Sequence, residues 1–131
     1  MKEEYKHQDI TSEIIKCFYT VYNTLGFGFL EKVYEKSMEI ELVESGLTVV
    51  RQKPIEVFYR TQIVGEYFAD LIVENKVIIE LKAAETICEE HENQLINYLK
   101  ATEIELGLLL NFGKKPELKR KIFSNINKIE H

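Results

Sequence analysis

The chain has 131 residues, 45% of them hydrophobic and 11% aromatic, which is enough to bury one proper core and points to a single domain over 1–131. Its 17 Lys and Arg against 22 Asp and Glu leave a net charge of −5, so the whole-molecule field does not favour a polyanion, and a nucleic-acid partner would need a local patch. Cys17 and Cys88 make neither a CxxC pair nor a disulfide framework, and the start MKEEYKHQDI has no apolar leader; with no run long enough to span a bilayer, the expectation is a cytoplasmic protein without a membrane partner.

Ile10, Ile14, Cys17, Phe18, Val21, Tyr22 and Leu25 recur every three or four positions, the spacing of one helical face, and predict a first helix. Gly26 and Gly28 interrupt it. A second helical run follows from about Leu30 to Glu44 and stops near Ser45-Gly46. From Leu47 the chain turns β-branched and aromatic, in "LTVVRQKPIEVFYR", "IVGEYFADLIV" and "KVIIELKA", which predicts three strands. Pro54 suits an edge strand or a bulge, and the polar triplets Arg60-Thr61-Gln62 and Glu74-Asn75-Lys76 are short enough for hairpin turns. "EEHENQLINYLKATE" returns to helical spacing, "ELGLLLNF" reads as a buried strand, and Pro116 opens an expected last helix carrying Leu118, Ile122 and Ile126. The expected order is α-α-β-β-β-α-β-α. This is an α/β (α+β) architecture: a mixed central sheet of about four strands, an antiparallel three-stranded meander plus one parallel strand, flanked by helices.

Three charges interrupt the most apolar part of the chain: Asp70, Glu80 and Lys82, within "ADLIVENKVIIELKAAE". A three-residue loop centred on Asn75 sets Asp70 opposite Glu80, and strand alternation places Lys82 on the same face, with Ile79 and Leu81 on the other. Two facing carboxylates repel, and burial makes ionising both costlier. A hard divalent cation such as Mg²⁺ or Mn²⁺ relieves this, held by Asp70, Glu80 and a main-chain carbonyl, that of Leu81. Lys82 would then orient a metal-bound water and offset charge on a phosphate, which is the chemistry of phosphodiester hydrolysis. A second reading stands beside it: Glu80 and Lys82 as a solvated ion pair at a strand end, with Asp70 opening a turn.

Asp70, nine intervening residues and Glu80-Leu81-Lys82 resemble the D-x(n)-ExK core of the PD-(D/E)XK nuclease superfamily, with Ala69 in place of the Pro. Gly28-Phe29-Leu30-Glu31-Lys32-Val33-Tyr34 resembles the signature of the GxxExxY proteins, a small family assigned to that superfamily. The likeness continues through "YFADLIVENKVIIELKA", "HENQLINYLKAT" and "GLLLNFG". The resemblance implies a restriction-endonuclease-like core, a metal-dependent nuclease acting on DNA or RNA, Asp70 and Glu80 as metal ligands, and Lys82 as the catalytic lysine. It also implies a carboxylate contributed by Glu31 and a QxxxY element formed by Gln94 and Tyr98. Superfamily members include inactive versions, so the alternative is a nuclease-fold module that binds protein or nucleic acid without catalysis.

On a helix, Gly28, Glu31 and Tyr34 would share one arc, with Tyr34 also suited to the core; Gly28 equally suits a tight entry turn. Gln94 and Tyr98 share a helical face that could line a groove beside the metal, while His91 has no ligand spacing around it. Lys114, Lys115, Lys119, Arg120, Lys121 and Lys128 against Glu117 make a basic tail that reads as the solvated face of the last helix, or as a phosphate grip. If Phe27, Phe29 and Phe58 are exposed, a homodimer is a further expectation.

Overall fold

A computed structural model describes residues 7–128. Helix α1 spans Gln8–Leu25 and α2 Glu31–Glu44; strands β1 (Val49–Tyr59), β2 (Gln62–Val73) and β3 (Val77–Lys82) follow. Helix α3 (Glu89–Lys100) then leads to β4 (Leu106–Phe112) and β5 (Pro116–Ile122), and a 3-10 turn occupies Asn125–Asn127. The five strands lie in chain order across one sheet, with β3 and β4 parallel and every other neighbouring pair antiparallel.

The α1 stripe expected from the spacing is the buried one: Ile10, Ile14, Cys17, Phe18 and Val21 all lie in the core. They pack with Tyr34, Met38 and Leu42 of α2 onto one face of the sheet, made by Leu71, Val73, Val77, Ile79, Leu81, Leu106, Leu108 and Leu110. On the other face Leu95, Tyr98 and Leu99 of α3 cover Ile72, Ile78 and Leu109. Strand β4 is buried along its whole length because helices cover both faces, which is why its seven residues read as an unbroken apolar run. Gly107 lets α3 come close: a Cβ there would lie 2.6 Å from Leu95 Cδ1.

The expected last helix is a strand. Leu118 and Ile122 are four residues apart, which is one turn of helix but also two repeats of a strand, so both periods fit them. Tertiary context decides. β4 would otherwise leave a fully buried strand with an open edge; β5 pairs along it from Leu106↔Ile122 to Phe112↔Pro116, with Leu118 and Ile122 packed on the core. Pro116 opens the strand where no ladder donor is required of it. The basic residues Lys119 and Lys121 therefore alternate on an edge strand instead of lining a helical face, and Ile126 lies in the 3-10 turn, 88% exposed.

Pro54 lies in β1, an edge strand, and the β2–β3 turn takes Glu74, Asn75 and Lys76 as expected, with Glu74 and Asn75 both at φ 53°. Among the described residues no helix is long and apolar enough to cross a membrane.

Candidate active site

The β2–β3 ladder pairs Val73↔Val77, Ile72↔Ile78 and Leu71↔Ile79, the register of a loop centred on Asn75. Beyond that point side chains replace the ladder. The Asp70 N–H donates to Glu80 Oε2 at 2.9 Å, and the Leu81 N–H donates to Asp70 Oδ2 at 2.8 Å. The strands thus part where the two carboxylates sit, and each carboxylate satisfies a main-chain N–H that the parting would orphan.

Strand β2 rolls over at this point. Ala69 packs in the α3-side cluster, whereas Leu71, two residues on, packs on the α1–α2 side. Opposite Asp70 in β1, Gln52 takes φ 52°, a backbone conformation that a non-glycine residue adopts at a cost. Its amide is put to use: Gln52 Nε2 donates to Glu35 Oε1 at 2.9 Å and to Asp70 Oδ1 at 3.3 Å. Glu35 is 7% exposed, an unusual fate for a carboxylate, and lies one helical turn after Glu31 on α2. The site therefore gathers groups from α2, β1, β2 and β3.

Electrostatics follow from this packing. Glu80 is 4% exposed, and burial first, then the charge of Asp70, push its carboxyl up to about 8; Lys82 pulls the other way, and Glu31 adds to the rise. Asp70 is raised too, by burial and then by the charge of Glu35, against the hydrogen bonds from Leu81 and Gln52. Among the described residues, the ion pairs Arg51–Glu39 and Lys121–Glu92 lie elsewhere, and none neutralises Asp70 or Glu80. The solvated ion pair entertained for Glu80 and Lys82 does not describe a glutamate this buried.

A model of the PD-(D/E)XK nuclease superfamily matches residues 8–122. The chain belongs to that superfamily. In fold it is similar to the crystal structure of SSO0001, with TM-score 0.56 and 19% identity over 92% of this chain; the match spans 61% of that longer chain. A search of curated proteins finds no match.

PD-(D/E)XK nucleases generally use divalent metals, and the donor set here fits one: two repelling carboxylates, one of them almost wholly buried, neither in an ion pair among the described residues. Among the described residues no three His, Cys, Asp or Glu side chains gather into a ready-made cage, so a further donor has to be a main-chain oxygen or water.

Six residues from the flanking motifs surround this centre in the sequence, and the structure separates their roles. Glu31 is the first residue of α2, exposed, and its charge reaches Glu80. Gly28 is not on the helical arc with Glu31 and Tyr34: it precedes the helix at φ 110°, which is the entry turn that glycine permits. Tyr34 is core, its ring stacked 4.1 Å from Phe112 and its hydroxyl donating to the Gly26 carbonyl at 2.6 Å. On α3, Gln94 Nε2 donates to Tyr98 Oη at 2.6 Å, and the Tyr98 phenol is raised by burial, then, against the Gln94 bond, by the charges of Glu80 and Asp70. Tyr98 packs in the same cluster as Ala69 and Ile78, which neighbour Asp70 and Glu80 along β2 and β3. His91 Nδ1 accepts from the Cys88 N–H at the start of α3, a helix-capping role.

Glu35 and Gln52 were missed from the sequence. The four-residue step from Glu31 could have flagged Glu35. Nothing local marks Gln52, whose role arises from the roll of β2 opposite it.

Proposed function

We propose that the protein is a metal-dependent nuclease, a phosphodiester hydrolase acting on DNA or RNA as a single cytoplasmic domain. Asp70, Glu80 and the Leu81 carbonyl would hold a Mg²⁺ or Mn²⁺ ion. The observation that supports this reading is the pair of mutually repelling carboxylates at the parting of β2 and β3, Glu80 buried and Asp70 half-buried, with no ion pair to either among the described residues. Such an ion, when bound, acidifies a water molecule and neutralises charge on the scissile phosphate.

The chain's own groups divide the remaining work. Asp70 and Glu80 are held by main-chain N–H groups, so their orientation is set before substrate arrives. Lys82, two residues beyond Glu80 in β3, orients the attacking water and offsets negative charge as it builds on the phosphoryl oxygens. Glu31 brings a carboxylate from α2 towards Glu80, where it can accept a proton from that water or hold a second solvated cation. Gln94 and Tyr98 offer an amide and a hydroxyl to a substrate phosphate.

The test is cleavage of mixed single- and double-stranded DNA and RNA in Mn²⁺ by the wild type and by Lys82→Ala. The wild type is expected to cut and the variant to lose about a hundredfold or more, the usual cost of a lost transition-state donor. Equal degradation by both would point to a contaminant and end the proposal. No cleavage by the wild type, with a protein or RNA recovered stably on it, would favour the non-catalytic binding module.

A further inference from the structure

The β1–β2 hairpin outruns the sheet. β2 pairs with β3 only from Leu71 to Val73, whereas its residues from Gln62 to Ala69 pair with β1 alone. The outlying part is a two-stranded arm that carries large exposed rings: Tyr59 at 63% and Tyr67 at 48%. Between this arm, α3 and Phe123 lies a groove of about 1010 Å³.

Its walls have a definite chemistry. Tyr67 lies 5.7 Å from Tyr98, the Arg60 guanidinium 5.5 Å over the Tyr59 ring, and the Lys100 ammonium 5.5 Å over the ring of Phe123. Charged groups lining the groove are Arg60, Lys100 and Lys128 against the single carboxylate Glu90, a reversal of the chain's net charge of −5. The groove also approaches the carboxylate site: Tyr98, which lines it, packs in the cluster that holds Ala69, next to Asp70 in β2, and Ile78, two residues before Glu80 in β3.

We propose that this groove seats the unpaired bases of a single-stranded nucleic acid and so leads the strand past Tyr98 to Asp70 and Glu80. The proposal rests on the nuclease reading above and names its substrate class. Aromatic faces accept any base by stacking, but only a base that is not already stacked within a duplex offers both its faces. The amides of Asn93 and Asn97 in the groove match the Watson–Crick edges of bases, which are free only when unpaired. Arg60 and Lys100, with Lys128 held by the Thr102 and Ile104 carbonyls behind them, suffice to accompany a short strand, whereas gripping a duplex draws on many phosphate contacts.

Binding can be read apart from cleavage by fluorescence anisotropy on Lys82→Ala protein in chelator, with a short labelled oligonucleotide offered single-stranded and as its duplex. The single strand is expected to bind at least about tenfold more tightly than the duplex, and Tyr59→Ala and Tyr67→Ala each to weaken it about tenfold, with Tyr67→Trp restoring it. Both residues are exposed, so truncation spares the core, and circular dichroism checks the fold. Equal affinity for the duplex, unchanged binding by both alanine variants, or no binding at all would overturn the proposal. So would a dimer, seen by sedimentation and split by Tyr67→Ala, without oligonucleotide binding, since the groove would then be covered by a second copy. Failure of the nuclease reading shows separately, as wild-type protein that binds the strand yet does not cut it in Mn²⁺.

Discussion

Asp70 and Glu80 hold one another's strands: the Asp70 N–H donates to Glu80 Oε2 at 2.9 Å, while Asp70 Oδ2 accepts from Leu81, the residue after Glu80, at 2.8 Å. Carboxylates that only sought a cation could hang free on flexible stems. These two are built into the sheet where its ladder ends, so the cost of their repulsion is borne by the packing of the whole domain. Any group that relieves the repulsion should therefore register as stability.

Divalent metal should raise the melting temperature of the wild type and leave that of Asp70→Asn unmoved. The substitution keeps an oxygen for the Leu81 N–H and removes only the charge. Linkage predicts about 2.7 kcal/mol at a metal concentration a hundredfold above Kd. Differential scanning fluorimetry with Mn²⁺ or Mg²⁺ reads it, and equal shifts in both proteins would remove Asp70 from the metal site.

In chelator, the protein should lose stability as pH rises. Folding lifts the Glu80 carboxyl from an ordinary 4.5 to about 8, chiefly by burial and then by the charge of Asp70. Between those values the native state holds a proton that the unfolded chain has released. The contribution is therefore complete below the unfolded value, declines through the window, and is gone above about 8, a loss of a few kcal/mol at most. Glu80→Gln, which keeps the shape without the titration, should flatten the profile of melting temperature against pH. A wild-type profile as flat as the variant's would show that Glu80 ionises normally in the folded protein.

Much of this site was legible in the chain before any coordinates. The register that sets Asp70 against Glu80 follows from a short polar turn between two apolar runs, because slipping it by one residue would turn every buried side chain outward. The final segment was not legible, since Leu118 and Ile122 fit helix and strand alike and only the open edge of β4 chooses between them. Glu35 was hidden for another reason: on a helix rich in charge, one more glutamate reads as solvated, and its hydrogen-bond partner lies seventeen positions away.

That residue, Gln52, should behave as a positioning group. One amide nitrogen restrains both Glu35 and Asp70, so Gln52→Ala frees two neighbouring carboxylates to move apart. Gln52 is exposed, and its loss should cost about 1 kcal/mol or less in stability. Activity should fall further, by about tenfold, as Asp70 loses its orientation, with tighter metal dependence as the companion sign. Unchanged cleavage at limiting metal would leave Gln52 as a strand feature only.

Tyr34 tests whether the Gly28-to-Tyr34 signature is structural before it is chemical. Its hydroxyl donates to the Gly26 carbonyl at 2.6 Å and accepts from the Phe29 N–H at 3.2 Å, bracketing the loop that delivers Glu31. The ring, fully buried, stacks on Phe112 of β4. Tyr34→Phe keeps the stacking and orphans two main-chain groups, which should cost about 1–2 kcal/mol. Tyr34→Ala also opens a cavity beside Phe112 and should cost about 3–5 kcal/mol. Urea denaturation separates the two, and cleavage should drop with Tyr34→Phe, because a loosened loop lets Glu31 drift from Glu80. A Phe variant as stable as wild type would mean that the hydroxyl holds nothing and that the ring alone accounts for this tyrosine.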